Sequence, residues 1–466
     1  MLDLKNIEKY KENNRIEAKK ATGGLPKSIW ETYSAFANTL GGVILLGVEE
    51  YADKSLHPVD LPDPEWILSD FWDIINDPRK VSSNILSEND VRIHDADGKR
   101  IIVISVPRAD RCDKPVFIDG DPLTGSYRRN GEGDYKCSRD EVHAMLRDAA
   151  RVTQDMKILE NRDASVFDLN TLSRYRDRLR SVCPDDELCI LDDESLLLSV
   201  GAMAKGKDGK LHPTAAGLLM FGRLHHILRE YPYFSLDYRE EIPDPNGRIL
   251  SGSGDWSGNV FDFFCRVYDR IADDVHIPFN VSRSGDTPVQ SAIREALLNC
   301  IINADYYSRK GLVITKKPDS ITFSNPGGFR IDLDSAKLGG VSDPRNAGLI
   351  RIFSFAGIGR RMGSGFAGIL SVWDKNGLAA PVIREEFGPE RITLSLSVIP
   401  DNHCADTCDK QKEAIIEYLT DNISASPALI ARLLGVKLSA ARSIISQLEI
   451  DGFIVAGDDG CYSLKA

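Results

Sequence analysis

Residues Ala292 to Asn303 read AIREALLNCIIN, with apolar positions recurring at helical spacing. The stretch predicts an amphipathic helix that carries Glu295 and Asn299 one turn apart on the same side. That pairing suits a magnesium–nucleotide site. An Asn amide oxygen can ligate a hard cation, and a Glu can orient or deprotonate a water beside a terminal phosphate. Taken alone, such a pair is more often a solvated surface pair, so the neighbouring segments decide.

Downstream, Ile321 to Gly328 reads ITFSNPGG, a β-rich run ending in a turn whose glycines allow a close backbone approach to a ligand. A second glycine cluster, Gly357 to Gly365 (GIGRRMGSG), leads into the apolar stretch Phe366 to Trp373. Glycines ahead of a helix N-terminus, with Arg360 and Arg361 among them, suit phosphate binding by backbone N–H groups and positive charge.

Residues from about Phe167 to Phe387 resemble the GHKL-type ATPase module of bacterial AlbA-domain transcriptional regulators and RecG-like helicases. The resemblance rests on LNTLSRYRDRLRS (169–181), PTAAGLLMFG (213–222), DYRE (237–240) and REALLNCIINADY (294–306). SNPGGF (324–329), SDPRNAGL (342–349) and GSGFAGI (363–369) complete it. It implies ATP and Mg2+ as cofactors, with Asn299 as the metal ligand and Glu295 as the base of an ATPase. It further implies that Asn325, Gly327 and Gly328 form the adenine-side turn, and Gly363, Ser364 and Gly365 the phosphate lid. Two positions depart from the family. An Asp is usual where this chain has Asn325, and His-Arg-Asp-Tyr is usual where it has Asn303-Ala304-Asp305-Tyr306. The resemblance therefore implies nucleotide binding and leaves hydrolysis open.

The chain has 466 residues, enough for roughly three domains with their own cores. Its 42% hydrophobic and 27% charged content is that of a folded globular protein rather than a disordered one. No apolar run is long enough to span a membrane, and the charged N-terminus lacks a signal-peptide core. Nine cysteines without a CxxC pair suggest free thiols in a reducing cytoplasm. His403, Cys404 and Cys408 fall in a linker without a second ligand pair, so no zinc site is expected there. The net charge of −12 does not exclude nucleic acid, because local charge governs phosphate contact. Lys5, Lys9, Lys11, Arg15, Lys19, Lys20 and Lys27 crowd the N-terminus, interleaved with Glu8, Glu12 and Glu17.

Ser28 to Thr39 predicts a helix with Ile29, Trp30, Tyr33 and Phe36 available for a core. Gly41-Gly42 ends it, Val43 to Val48 predicts a buried strand, and Ile101 to Val106 another. Pro115 to Ile118 and Gly125 to Arg129 read as short edge strands, and Arg139 to Arg147 as a closing helix. EAKK (17–20), AFANTLGGVILLGVEE (35–50) and PVFIDGDPLTGSYRRNGEG (115–133) resemble the Schlafen AlbA-type domain, a DNA-binding module. On that resemblance Lys19, Lys20, Arg128 and Arg129 meet nucleic-acid phosphates; simple solvation is the alternative. Nucleolytic Schlafen proteins carry two Glu five apart and an acid after the GV strand, which Glu12, Glu17 and Glu49 or Glu50 match. Three such carboxylates on Mg2+ or Mn2+ would activate water against a phosphodiester, making a nuclease the rival reading.

After the polar stretch Pro400 to Asp409, helices are expected over Glu413–Thr420, Ser426–Leu433 and Ser439–Glu449, with Gly435 at a turn. Phe453–Val455 and Cys461–Leu464 predict a hairpin. Together they predict a winged helix-turn-helix whose recognition helix offers Lys437, Ser439, Arg442, Ser443 and Gln447 to DNA, with a protein contact as the alternative.

The expectation is a cytoplasmic multidomain protein of α/β and α+β class. It comprises an AlbA-type domain (1–150), a GHKL-like α/β sandwich with a helical lead-in (151–400) and a winged helix-turn-helix (410–466). Its expected function is nucleotide-responsive, DNA-binding regulation of transcription, as a homodimer by analogy, with RNA as an alternative nucleic acid and no membrane contact. An ATP-dependent nucleic-acid enzyme is a second rival, although no G-x-x-x-x-G-K-[ST] loop is present to serve a motor.

Overall fold

A computed structural model describes residues 7, 10–96, 98–241, 248–272, 287–359, 365–388 and 390–399. Near the C-terminus it describes 412, 414–416, 418–420, 422, 424–434, 438–450, 453–457 and 461–464. Over these residues the chain is a mixed α/β, multidomain structure that divides into two compact units. The first comprises Met1–Lys316, Thr322–Ile369 and Ile383–Leu394; the second comprises Lys317–Ile321, Leu370–Val382 and Ser395–Ala466.

The N-terminal part of the first unit is built on a four-stranded sheet ordered Ile16–Lys19, Gly42–Leu46, Lys99–Val106, Val91–Ala96. The first two strands are parallel, with Ile16 beside Val43, and the others antiparallel, with Ile44 opposite Ile104. Strand alternation sends Ile44, Leu46, Ile102 and Ile104 to one face. There they meet Ile29, Tyr33 and Phe36 of helix Ile29–Asn38, and Ile67 and Phe71 of helix Pro64–Ile75. Leu45, Ile101 and Val103 take the opposite face with Ile16, Val48 and Leu56. Because both faces are covered, the two central strands, Gly42–Leu46 and Lys99–Val106, read as near-continuous apolar runs.

The expected strand at Pro115 to Ile118 is not one; it makes only isolated bridges, Val81 to Ile118 and Phe117 to Ser126. Pro115 has no N–H to give a ladder, and the side chain of buried Asn38 takes the place of a neighbouring strand. Asn38 Oδ1 accepts from Val116 N at 2.8 Å, while Nδ2 donates to Val116 O at 2.8 Å and Tyr127 O at 3.0 Å. The next segment begins as a helical turn, Pro122–Gly125, and only Tyr127–Asn130 is a strand, paired with Gly133–Lys136.

The central part carries a sheet ordered Arg248–Leu250, Leu236–Glu240, Leu312–Lys316, Ser320–Pro326, Arg391–Ser397, Val382–Glu386. The first pair is antiparallel and the second parallel, with Tyr238 beside Ile314. The helix predicted from Ala292 begins earlier, at Pro288, because Thr287 and Gln290 form a capping box and Pro288 suits the first turn. Ala292, Ile293, Ala296, Leu297, Cys300 and Ile301 are buried, whereas Glu295 and Asn299 are half-buried.

In the second unit, Ile415, Leu419, Ile430, Ala441, Ile445, Leu448 and Ile454 form a separate core. Helices Pro427–Leu434 and Leu438–Ile450 precede a hairpin of Ile454–Ala456 and Tyr462–Leu464, with Val455 opposite Ser463. Ala425 adds to the hairpin through two 2.9 Å backbone bonds with Tyr462. No helix among the described residues is long and apolar enough to cross a membrane.

Candidate functional site

Glu295, Asn299 and Asn303 line a cleft in the first unit. Strand residues Phe323, Asn325, Ile392 and Leu394, the Gly328–Ile331 turn, Ser342–Pro344 and Gly365 complete its walls. The sheet side is largely apolar and the helix side polar, a division suited to a flat ring with a charged tail. Gly365 opens the helix Gly365–Lys375 and rests directly on the Glu–Asn pair. A Cβ at Gly365 would stand 2.5 Å from Glu295 Oε1 and 2.9 Å from Asn299 Nδ2, so only glycine permits this approach. Neither the Glu295 nor the Asn299 side chain has a hydrogen-bond partner among the described residues. Burial raises the Glu295 carboxyl above its usual value, with Arg294 pulling the other way, which makes it the better proton acceptor.

Asn325 is buried and its Nδ2 donates weakly to Asn303 O at 3.4 Å and Pro326 O at 3.3 Å, leaving Oδ1 as the acceptor. Gly328 lines the cleft, but Gly327 does not. Gly327 has φ +96°, and a Cβ there would collide with the Arg345 guanidinium, so this glycine makes room for an arginine. Buried Arg345 donates to Asn303 O and, at 3.0 Å, to Gly328 O, tying the helix end to the turn. Its other donors hold both oxygens of Asp148 at 2.9 and 2.7 Å. Burial alone would raise the Asp148 carboxyl; the Arg345 charge outweighs it and holds the group below its usual value. The turn's own N–H groups are occupied: Gly328 donates to Glu390 at 3.2 Å and Phe329 to Glu385 at 2.7 Å. Sequence reasoning missed Arg345, Asp148, Glu385 and Glu390; the quoted SDPRNAGL segment was the one signal that included any of them.

Of the second glycine cluster, Gly363 and Ser364 lie outside the described residues, as do Arg360 and Arg361. Gly357 and Gly359 both have positive φ and pack against Val182 and Leu298, so they shape turns.

The N-terminal carboxylates are spoken for. Glu12 accepts from Ala18 N at 2.9 Å, Glu17 pairs with Lys19 at 2.9 Å and Arg129 at 2.8 Å, and Glu49 pairs with Lys20 at 3.0 Å. Burial, then the Glu17 and Glu50 charges, raises Glu12. No three His, Cys, Asp or Glu among the described residues are grouped to hold a metal ion. Arg129 is not available to a phosphate. Its side chain is 1% exposed, pairs with Glu17 and Asp134, and lies over the Phe36 ring. Lys19 is also largely covered, whereas Lys20 is exposed and Arg128 is partly so beside Glu141. On the expected recognition helix Arg442 is exposed. Lys437, the side chains of Ser439, Ser443 and Gln447, and His403, Cys404 and Cys408 lie outside the described residues, as do Lys5 and Lys9.

Residues 12–138 match the family described as "Schlafen, AlbA_2". Residues 143–237 match "Domain of unknown function (DUF8451)", and 312–394 match "Putative ATP-dependent DNA helicase recG C-terminal". Asn325, Gly328 and Gly365 fall inside the last span; Glu295 and Asn299 precede it. Among solved structures, the DIP2311 protein from Corynebacterium diphtheriae is 18% identical, covering 97% of this chain and 92% of that chain at a TM-score of 0.42. The N-terminal domain of a "Putative ATP-dependent DNA Helicase RecG-related Protein" from Nitrosomonas europaea is 32% identical. That match covers 29% of this chain and 94% of the other at a TM-score of 0.24. No curated protein matches the chain.

Proposed function

We propose that this chain is a nucleotide-responsive, DNA-binding regulator of transcription. The family matches support ATP-dependent, DNA-related work. In this reading ATP and Mg2+ occupy the cleft of an ATPase-like module (151–400), and nucleic acid is held by the AlbA-type domain (1–150) that precedes it in sequence and a winged helix-turn-helix (410–466) that follows it. The observation that carries it is Gly365 resting on Glu295 and Asn299, two side chains with no hydrogen-bond partner among the described residues. Asn299 would hold the cation, Asn325 Oδ1 would accept from the base, and Glu295 would orient a water. Bound nucleotide supplies the free energy that favours one arrangement of the protein over another. An Asn at 325, where the family has an acid, favours sensing over rapid turnover. The assembly in this reading is a homodimer, which brings two DNA-binding faces together.

The nuclease reading is weakened by the ion pairs that Lys19, Lys20 and Arg129 make with Glu17 and Glu49. Mobility shifts with duplex DNA at rising salt, with and without Mg·ATP, test the proposal. Binding that falls with salt, changes with nucleotide and is lost on deleting residues 410–466 is expected. Binding indifferent to both nucleotide and deletion rejects it.

A further inference from the structure

We infer that the cleft is positioned from outside the central module: Arg108, Arg111 and Asp148 of the N-terminal part fix its walls, so ligand occupancy is coupled to the N-terminal domain. The inference rests on the nucleotide reading above and supplies its route of regulation.

Among the ion pairs that cross from the N-terminal part, three reach the cleft walls: Asp343 lines the cleft itself, while Glu385 and Arg345 hydrogen-bond the lining residues Phe329 and Gly328. Arg108 grips both oxygens of Glu385 at 2.5 and 2.8 Å and donates to Phe329 O at 2.9 Å. The same Glu385 accepts from Phe329 N at 2.7 Å. Both backbone polar groups of Phe329, a lining residue, are therefore held by this one pair. Arg111 Nε pairs with Asp343, which also stands 3.3 Å from Arg330; Asp343 and Arg330 both line the cleft. Arg111 further caps the helix Arg139–Ala149, donating to Asp148 O at 2.7 Å and Ala150 O at 3.2 Å. Asp148 in turn fixes Arg345, which holds the carbonyls of Asn303 and Gly328.

These charges are mostly covered. Glu385 and Arg345 are each 9% exposed, so salt screens them little and loss of one partner leaves a charge stranded. A displacement of the N-terminal domain must therefore move Phe329, Asp343 and Gly328 together. Thermodynamic reciprocity then requires a ligand that needs those residues in place to stabilise the docking of that domain.

The test uses the full chain and Mg·ATP. Calorimetry measures affinity, and backbone hydrogen exchange is followed in peptides covering residues 100–115 and 139–149. In the wild type, saturating nucleotide slows exchange in both peptides. Arg108→Ala weakens nucleotide binding by about tenfold or more and removes that protection. Arg108→Lys, which keeps the charge but loses the two-pronged grip, falls between. Arg108→Glu combined with Glu385→Arg restores most of the affinity. All variants are scored on protein with wild-type circular dichroism, and the charge-swapped pair decides where the single change does not fold. Wild-type affinity in both Arg108→Ala and Asp148→Asn, with exchange unaffected by nucleotide, overturns the inference and leaves the nucleotide site standing. Absence of Mg·ATP binding in the wild type overturns both.

Discussion

Asn299 and Glu295 face the same cleft but are assigned different work, and substitution separates them. Gly365 makes the arrangement sensitive: the methyl of Gly365→Ala would stand 2.5 Å from Glu295 Oε1 and force the carboxylate aside. Overpacking of this kind typically costs about 1–3 kcal/mol. Gly365→Ala is therefore expected to weaken nucleotide binding at least about fivefold and to lower the thermal unfolding midpoint by about a few degrees, measured by fluorescence anisotropy and calorimetric melting. Unchanged affinity would mean that the cleft does not use this approach. The Glu–Asn pair was legible because four-residue spacing alone aligns two side chains on a helix. Arg345 was not, because its partner Asp148 lies 197 residues upstream and no local pattern joins them.

At the scale of elements, the basic residues of the N-terminal α/β part divide by burial. Arg129 stands between Glu17 and Asp134, so Arg129→Ala strands the largely covered Asp134 carboxylate and leaves Glu17 with Lys19 alone. That change is expected to destabilise the domain by about 3–5 kcal/mol, read as a lower urea midpoint. Lys20→Ala, by contrast, removes an exposed charge and should leave stability within about 0.5 kcal/mol. In the DNA-binding reading it reduces the salt dependence of binding by about one phosphate contact. The reverse pattern, with Arg129→Ala affecting DNA alone, would contradict this assignment. Helices and buried strands were readable here from apolar periodicity. The Pro115 to Ile118 segment was misread as a strand because its pairing comes from the Asn38 side chain, which periodicity does not register.

Across the whole molecule, the seam between the N-terminal and central parts carries buried charge that responds to pH. Lys114 donates to Asn38 O at 2.8 Å, and burial, assisted by Arg108, lowers it from 10.5 to about 8 against the pull of Glu390 and Glu385. Between about 8 and 10.5 the unfolded chain binds the more protons at this lysine, so its contribution to stability rises as pH climbs through that window. Lys114→Met should flatten that rise when denaturant midpoints are compared at about pH 7.5 and about pH 10. An identical slope in the variant would place the titration elsewhere. The mixed α/β, multidomain character was legible because strand and helix periods alternate along the chain. The seam was not, since pairs such as Arg108–Glu385 span 277 residues and depend on the folded geometry.

The central claim is the nucleotide site, and a calorimetric titration of the full chain with Mg·ATP tests it most directly. The account predicts a saturable single-site isotherm for the wild type and binding weakened at least about tenfold in Asn299→Ala, the loss of one cation ligand. A flat titration of the wild type, or identical isotherms for the two proteins, would contradict it.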